Sequence, residues 1–283
     1  PQQQQQQQQA SEQASKQAST PASTPASSSS SSSSRSASAS SETDLDSKLP
    51  SSEATRYRAL SARLNYLAAD RADIQFASKE CCRAMSAPTV RDWQALRRVG
   101  RYLIGQRRVV WSFLWQTSGH TLSVFSDSDW AGCGATGRST SGGVALFGIH
   151  CLRTYSVTQK CVSLSSAEAE LLALVKAASK TIGLCQLAAT RGLPLAIEVF
   201  TDSSAALVVT RRRGCGKLRH VRIGHLWVQD AQASSALGFK KIAGHLNPAD
   251  LLTKHLAPPK AVPLCEVLGQ HAVDGSAVKR LQS

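Results

Sequence analysis

Up to about Gly105 the apolar residues of this chain recur with a helical period, and beyond it with the period of strands. A small all-helical part must therefore precede a mixed α/β part. In the first, Leu60, Leu64 and Leu67 lie four and three residues apart, and Ile74, Ala77, Cys81 and Met85 repeat the pattern after the polar break at Asp70 and Arg71. Pro88 and Thr89 read as a stop and a new start, and a third helix covers Trp93, Leu96, Val99 and Leu103. In the second part, the short apolar runs 109–115, 122–125, 143–147 and 151–157 predict strands, the last two flanking Gly148. A long helix opens near Ser165, where Ser165 and Glu168 have the spacing of a capping box, and Leu171, Leu174, Val175 and Ala178 continue it. Then follow a strand at 197–200, a helix at 202–209, an amphipathic helix at 220–233, a strand at 237–242 and a helix at 248–256. This order implies an α/β fold, a mixed sheet with helices packed on its faces.

Neither pattern reaches the first 55 residues. They hold runs of eight Gln (residues 2–9) and eight Ser (residues 27–34) and almost no large apolar side chain. Such a segment cannot bury enough surface to offset the entropy of ordering it, so 1–55 is expected to be a disordered head. Residues 56–107 form the helical part, 108–258 the α/β domain and 259–283 a tail. The head carries three basic and five acidic residues of the chain's 33 and 19, which leaves 30 and 14, a net of +16, on the remainder. That excess suits a polyanionic partner, although solubility also favours net charge. No apolar run approaches the 18 or so residues of a membrane span, and no signal layout opens the chain, so no membrane partner is expected. Pro1 at the start, with no Met before Met85, is what a processed product or a fragment would show. The eight scattered cysteines include no C-x-x-C pair, which argues against structural zinc and for reduced thiols.

Acids are scarce in 56–283, and their placement is informative. Asp127 and Asp129 sit at the end of the 122–125 strand, Glu168 and Glu170 in the first turns of the long helix, Asp202 just after the 197–200 strand, and Asp250 at the start of the last helix. Strand ends and helix starts of such sheets converge on one edge. Carboxylates brought together there repel one another unless divalent cations neutralise them, and hard oxygen ligands favour magnesium or manganese. Two such ions can activate a water and stabilise the leaving oxygen of a phosphodiester. The competing interpretation is structural: Asp202 and Asp250 as helix N-caps, Glu168 as a capping-box partner, Asp129 as a turn residue. Spacing alone weighs the two about evenly.

The motifs Ser126-Asp127-Ser128-Asp129-Trp130-Ala131-Gly132, Arg138-Ser139-Thr140-Ser141-Gly142, Leu164-Ser165-Ser166-Ala167-Glu168-Ala169-Glu170, Phe200-Thr201-Asp202-Ser203-Ser204, Arg219-His220 and Ala249-Asp250-Leu251-Leu252-Thr253-Lys254 occur in that order. Together they resemble the ribonuclease H domain of copia-type retrotransposon Pol polyproteins. Upstream, Tyr57-Arg58-Ala59-Leu60 and Trp93-Gln94-Ala95-Leu96-Arg97-Arg98-Val99 resemble the helical end of the adjoining reverse transcriptase. The resemblance implies a ribonuclease H-like five-stranded mixed sheet flanked by helices in 108–258, after a reverse-transcriptase remnant in 56–107. It places the metal-binding carboxylates on Asp127, Glu170, Asp202 and Asp250, holding two Mg2+ or Mn2+ ions. It implies endonucleolytic hydrolysis of the RNA strand of RNA–DNA hybrids, leaving a 3′-hydroxyl and a 5′-phosphate, in an intracellular setting, either a cytoplasmic virus-like particle or the nucleus. The remainder of the reverse transcriptase is the implied partner if the polyprotein is made whole.

Arg138 and the basic run Arg211, Arg212, Arg213, Lys217 and Arg219 are candidates for gripping phosphates of the hybrid, with a solvated surface as the plainer alternative. His245 and Asp129 are auxiliary candidates; for His245 a plain loop position is the simpler reading. His220 matches a family position, but the acid usual two residues later is Arg222 here, and Tyr155 replaces the usual Trp. No Tyr-x-Asp-Asp motif occurs, so DNA synthesis by this chain is excluded. A catalytically inactive nucleic-acid-binding relic is the alternative to the enzyme, and the four intact carboxylates favour the enzyme.

Overall fold

The computed structural model describes residues 44–117, 119–216, 218 and 220–273. The expected head up to residue 43, Lys217, Arg219 and the end of the tail from residue 274 lie outside the described residues.

Three helices come first: α1 (Ser51–Leu67), α2 (Ala72–Arg83) and α3 (Val90–Gly105). Thr89 starts α3 by a closed capping box, its hydroxyl accepting from the Asp92 N–H while the Asp92 carboxylate accepts the Thr89 N–H at 2.9 Å. The helices enclose Tyr57, Leu64, Ile74, Cys81 and Leu96, and the buried Tyr57 hydroxyl donates to the Cys81 carbonyl at 2.7 Å. Leu49 and Ala54 join that core. The boundary expected at 55 therefore falls inside α1, whose polar first turn has no apolar period to reveal it.

The strands are β1 (Val109–Trp111), β2 (Thr121–Ser128), β3 (Thr140–Phe147), β4 (His150–Thr158), β5 (Ala196–Thr201), β6 (Gly238–Lys241) and β7 (Gln270–Ala272). Five of them form one sheet in the order β4–β3–β2–β5–β6. β2 is central, antiparallel to β3 and parallel to β5, and β6 runs parallel to β5. This is the ribonuclease H-like sheet. The crossover from β4 to β5 is α4 (Ser166–Ala189), and that from β5 to β6 contains α5 (Ser204–Arg211) and α6 (Trp227–Ala233).

Both faces of the sheet are covered. On one side Leu122, Val124, Ile197, Val199 and Phe239 pack against Leu171, Leu174, Ala177 and Ala178 of α4 and Leu207 of α5. On the other, Val144, Leu146 and Cys151 pack against Ala72, against Leu251 and Leu252 of the short 3-10 helix Pro248–Leu252, and against α7 (Pro258–Val267) with Leu268 just beyond it. By length and composition α4 is the one described helix that could cross a bilayer. Leu171, Leu174 and Ala178 of this helix are fully buried against the sheet, and Leu187 near its end is exposed.

Four sequence expectations are corrected here. Of the run 109–115 only β1 is extended in a ladder, and it pairs with β7 rather than with the main sheet. The expected helix 220–233 is a turn, a 3-10 turn at Ile223–His225, and only then α6. Gly224 in its middle weakens a helix by roughly 1 kcal/mol, and Ile223 is exposed rather than on a buried face. The last helix, 248–256, is the 3-10 helix Pro248–Leu252. The tail from 259 is packed through α7 and β7, so no structural boundary falls at 258.

Candidate active site

Parallel neighbours deliver their C-terminal ends to the same edge of a sheet, and β2 and β5 are such a pair. β2 extends through the buried residues Ser126, Asp127 and Ser128, and Asp127, 1% exposed, lies opposite Gly142 of β3. Asp202 follows β5 directly. Glu170 comes from the start of α4, which is fixed by Ser165 as N-cap, its hydroxyl accepting from the Glu168 N–H at 3.2 Å. One carboxylate oxygen from each of Asp127, Glu170 and Asp202 lies within 4.8 Å of the others.

Asp250, in the 3-10 helix Pro248–Leu252, stands beside this group and is joined to it through Lys254. The Lys254 ammonium lies 2.8 Å from Asp250 Oδ1 and 3.3 Å from Asp127 Oδ2. The Thr253 hydroxyl also donates to Asp127 Oδ2. The structure thus gathers three of the four expected carboxylates directly, and the fourth by way of a lysine.

Burial, and after it mutual repulsion, makes three of these carboxyls weaker acids. Burial first, and then the Asp127 and Asp202 charges, push Glu170 up to about 9. Burial and Asp127 raise Asp202, and the same two causes bring Asp250 to about 6. Burial would depress the Lys254 ammonium, but Asp127 and Asp250 outweigh it and raise it to about 12. Glu170 Oε2 is buried with no hydrogen-bond partner among the described residues. An orphaned carboxylate oxygen beside two more anionic oxygens is a donor set that fits a hard divalent cation.

The structural alternative holds for two of these acids and not for the other two. Ser203 caps α5 and Asn247 caps the Pro248–Leu252 turn, which leaves Asp202 and Asp250 without a capping task. Asp129 and Glu168 do have backbone partners. Asp129 accepts the Thr140 N–H, and Glu168 accepts the Leu164 N–H at 2.7 Å and faces His220 Nε2 at 2.8 Å. The capping box expected at Ser165 is therefore half formed, since the Glu168 carboxylate reaches Leu164 instead of closing on Ser165.

Among the other candidates, Arg138, Arg211 and Arg213 are exposed. Arg212 differs: it turns inward and donates from Nη2 to the Cys215 carbonyl at 2.6 Å, so it shapes its loop instead of facing solvent. His245 is exposed in the turn Gly244–Leu246, where a Cβ on Gly244 would lie 3.1 Å from Asp202 Oδ2. Tyr155 packs over Gly143 with Lys180 above its ring.

Three supporting residues were not singled out from the sequence. Gln159, 5% exposed, donates to Ser141, Ser128 and the Ala169 carbonyl, tying β2 and β3 to the start of α4. Asn247 donates to the Ser126 carbonyl at 3.0 Å, which holds the Asp250 turn against β2. Lys254 had a readable signal, a base four residues after an acid, the spacing of a helical ion pair. The groups to which Gln159 and Asn247 donate lie 10 to 121 residues away, which no local pattern announces; the cap of Asn247 on Ala249 is local.

The topology and the acidic edge define a ribonuclease H-like α/β protein with a candidate divalent-metal site. By sequence the chain is similar to retrovirus-related Pol polyproteins from plant transposons. It is 31% identical over 216 residues to the Pol polyprotein from transposon RE2 of Arabidopsis thaliana, covering 75% of this chain and 14% of that protein. To the polyprotein from transposon TNT 1-94 of Nicotiana tabacum it is 27% identical over 233 residues, 81% of this chain and 17% of the relative. The chain thus spans well under a fifth of the length of these relatives. No protein-family model matches it. Among solved structures, LC11-RNase H1 in complex with RNA/DNA hybrid is similar at 20% identity, over 47% of this chain and 94% of that one, with a TM-score of 0.33. An N-terminal RNase H domain from Mycobacterium tuberculosis is similar at 17% identity, over 52% and 98%, with a TM-score of 0.32.

Proposed function

We propose that this chain is a ribonuclease H-type nuclease that hydrolyses the RNA strand of RNA–DNA hybrids with Mg2+ or Mn2+. The observation that carries this reading is the Asp127, Glu170 and Asp202 group, with one Glu170 oxygen buried and unpartnered among the described residues. Asp127, Glu170 and Asp202 would hold a divalent ion, with Asp250 completing the site for a second. Bound there, such ions supply a water of lowered pKa and neutralise charge on the leaving oxygen.

The chain's own residues set the frame for that chemistry. Asp127 is held by Thr253 and Lys254, Asp202 is fixed at the end of β5, and Glu170 rides on a capped helix, so the carboxylates are oriented before substrate arrives. Arg138, Arg211 and Arg213 are exposed and free to pair with backbone phosphates, and contacts to 2′-hydroxyls would select the RNA strand. The remainder of the reverse transcriptase, in a whole polyprotein, is the proposed protein partner.

The test is a substrate panel. End-labelled RNA–DNA hybrid, double-stranded RNA and double-stranded DNA are incubated with the purified chain in Mg2+ or in EDTA. Cleavage of the RNA strand of the hybrid alone, in Mg2+ alone, leaving 3′-hydroxyl ends, is expected. Cleavage in EDTA, or of all three duplexes equally, would refute the proposal.

A further inference from the structure

Lys254 reaches from the surface to the floor of the site. Its side chain is 41% exposed, whereas the Asp127 side chain it meets is 1% exposed and that of Asp250 20%. The ammonium lies 2.8 Å from Asp250 Oδ1, and 3.3 and 3.4 Å from the two Asp127 oxygens. One cation thus bridges two carboxylates from different elements, β2 and the Pro248–Leu252 turn. A divalent ion shared by Asp127 and Asp250 would need the same oxygens, and two positive charges cannot occupy one bridge. Glu170 and Asp202 lie outside this contact, and Asp127 is shared between the ammonium and the Asp127, Glu170 and Asp202 group.

We propose that Lys254 is a built-in counter-ion that occupies the second metal position of the free protein. The inference rests on the reading of the acidic group as a metal site. Without nucleic acid, the chain then takes one divalent ion, at Asp127, Glu170 and Asp202. When the ammonium swings out on its flexible four-carbon stem to a phosphate of the bound hybrid, a point-charge contact that lysine makes readily, Asp127 and Asp250 would be open to hold a second. Charge balance gives the device a purpose: it keeps Asp127 and Asp250 from repelling one another until substrate brings its own anion. Lys254 acts here as a positioning residue, setting when the site is complete.

The experiment measures Mn2+ stoichiometry on the full chain by calorimetry and by electron paramagnetic resonance of free Mn2+. Wild type alone should bind one ion, and Lys254→Met, which keeps the stem and removes the charge, should bind two. Lys254→Arg should remain at one. Addition of a hybrid whose RNA strand carries 2′-O-methyl groups should raise wild type from one ion to two. Lys254→Gln, a shorter neutral side chain, should likewise bind two ions without hybrid, which keeps the test open if Lys254→Met folds poorly. Two ions on wild type without hybrid, or identical isotherms for wild type and a folded Lys254→Met, would overturn the inference. Asp202→Asn separates the underlying reading: it should abolish the first ion. If wild type binds no Mn2+, or Asp202→Asn binds it as wild type does, the metal-site reading falls and this inference with it.

Discussion

Glu170 is the residue whose charge the protein tolerates least. Its carboxyl titrates at about 9 in the fold against an ordinary 4.5, because it is buried and faces Asp127 and Asp202. A raised carboxyl binds its proton more tightly when folded, so its contribution to stability is full below the ordinary value and is lost as pH climbs toward the folded one. In EDTA the Tm should accordingly fall between about pH 5 and about pH 9. Mg2+ should restore it, by an increment that grows with pH as the carboxylates it binds lose their protons. Thermal melts in paired buffers check this; a Tm indifferent to Mg2+ at about pH 8 would contradict it. Glu170→Gln removes the charge but not the shape, so it should flatten the pH dependence and cancel the Mg2+ increment. The four acids could be read from the sequence as a group because they fall at strand ends and helix starts. Which of them were free could not, since that depended on Ser203 and Asn247 taking the caps and on Asp129 and Glu168 finding backbone partners.

Two elements aim the carboxylates, the start of α4 and the turn that carries Asp250. Ser165→Ala removes the cap of α4 and should cost about 1 kcal/mol in urea unfolding, with a weaker response to Mg2+ because Glu170 loses its anchor. Gly142 matters to the turn. A Cβ there would stand 2.7 Å from Thr253 Cγ2 and 2.9 Å from the Ala249 carbonyl oxygen, and a backbone carbonyl cannot yield without moving the turn. Gly142→Ala should therefore cost about 1–3 kcal/mol and displace Asp250 and Lys254 together. A Gly142→Ala variant of wild-type stability and unchanged Mn2+ binding would contradict this account of the turn. Elements were legible where period and burial coincide, as in α4 and β3. They were misread where they do not. β2 runs on through Ser126, Asp127 and Ser128, polar residues that are buried because they are bonded, and an apolar count stops at Phe125. β1 finds its partner in β7, about 160 residues on, which no local pattern announces.

The whole molecule does not divide where the periodicity changes. α2 lies against the sheet, with Lys79 donating to Thr140 at 2.6 Å and Gln75 to Thr154 at 2.8 Å. Asp73 binds Arg71, Tyr102 and Gln270, so one carboxylate ties the helices to β7. A chain starting at residue 108 loses all of these and the packing of Ala72 against Val144 and Leu146. It should unfold at lower temperature and with less cooperativity than one starting at residue 44, as calorimetry of the two would show. The basic excess acts at the same scale. Hybrid binding should weaken with salt at a log–log slope of about −0.9 per phosphate neutralised, taking the value for duplex DNA. Arg211→Ala with Arg213→Ala should reduce that slope by roughly one unit per lost contact, whereas Arg212→Ala should act through the loop's stability instead.

The measurement that bears most directly on the central claim compares wild type with Asp202→Asn on labelled RNA–DNA hybrid in Mg2+. The substitution keeps the size of the side chain and leaves the cap of α5 on Ser203, so folding should be unchanged by circular dichroism. Wild type should cleave the RNA strand and Asp202→Asn should leave it intact. Equal cleavage by both would mean that the acidic edge of this sheet is not the seat of the reaction.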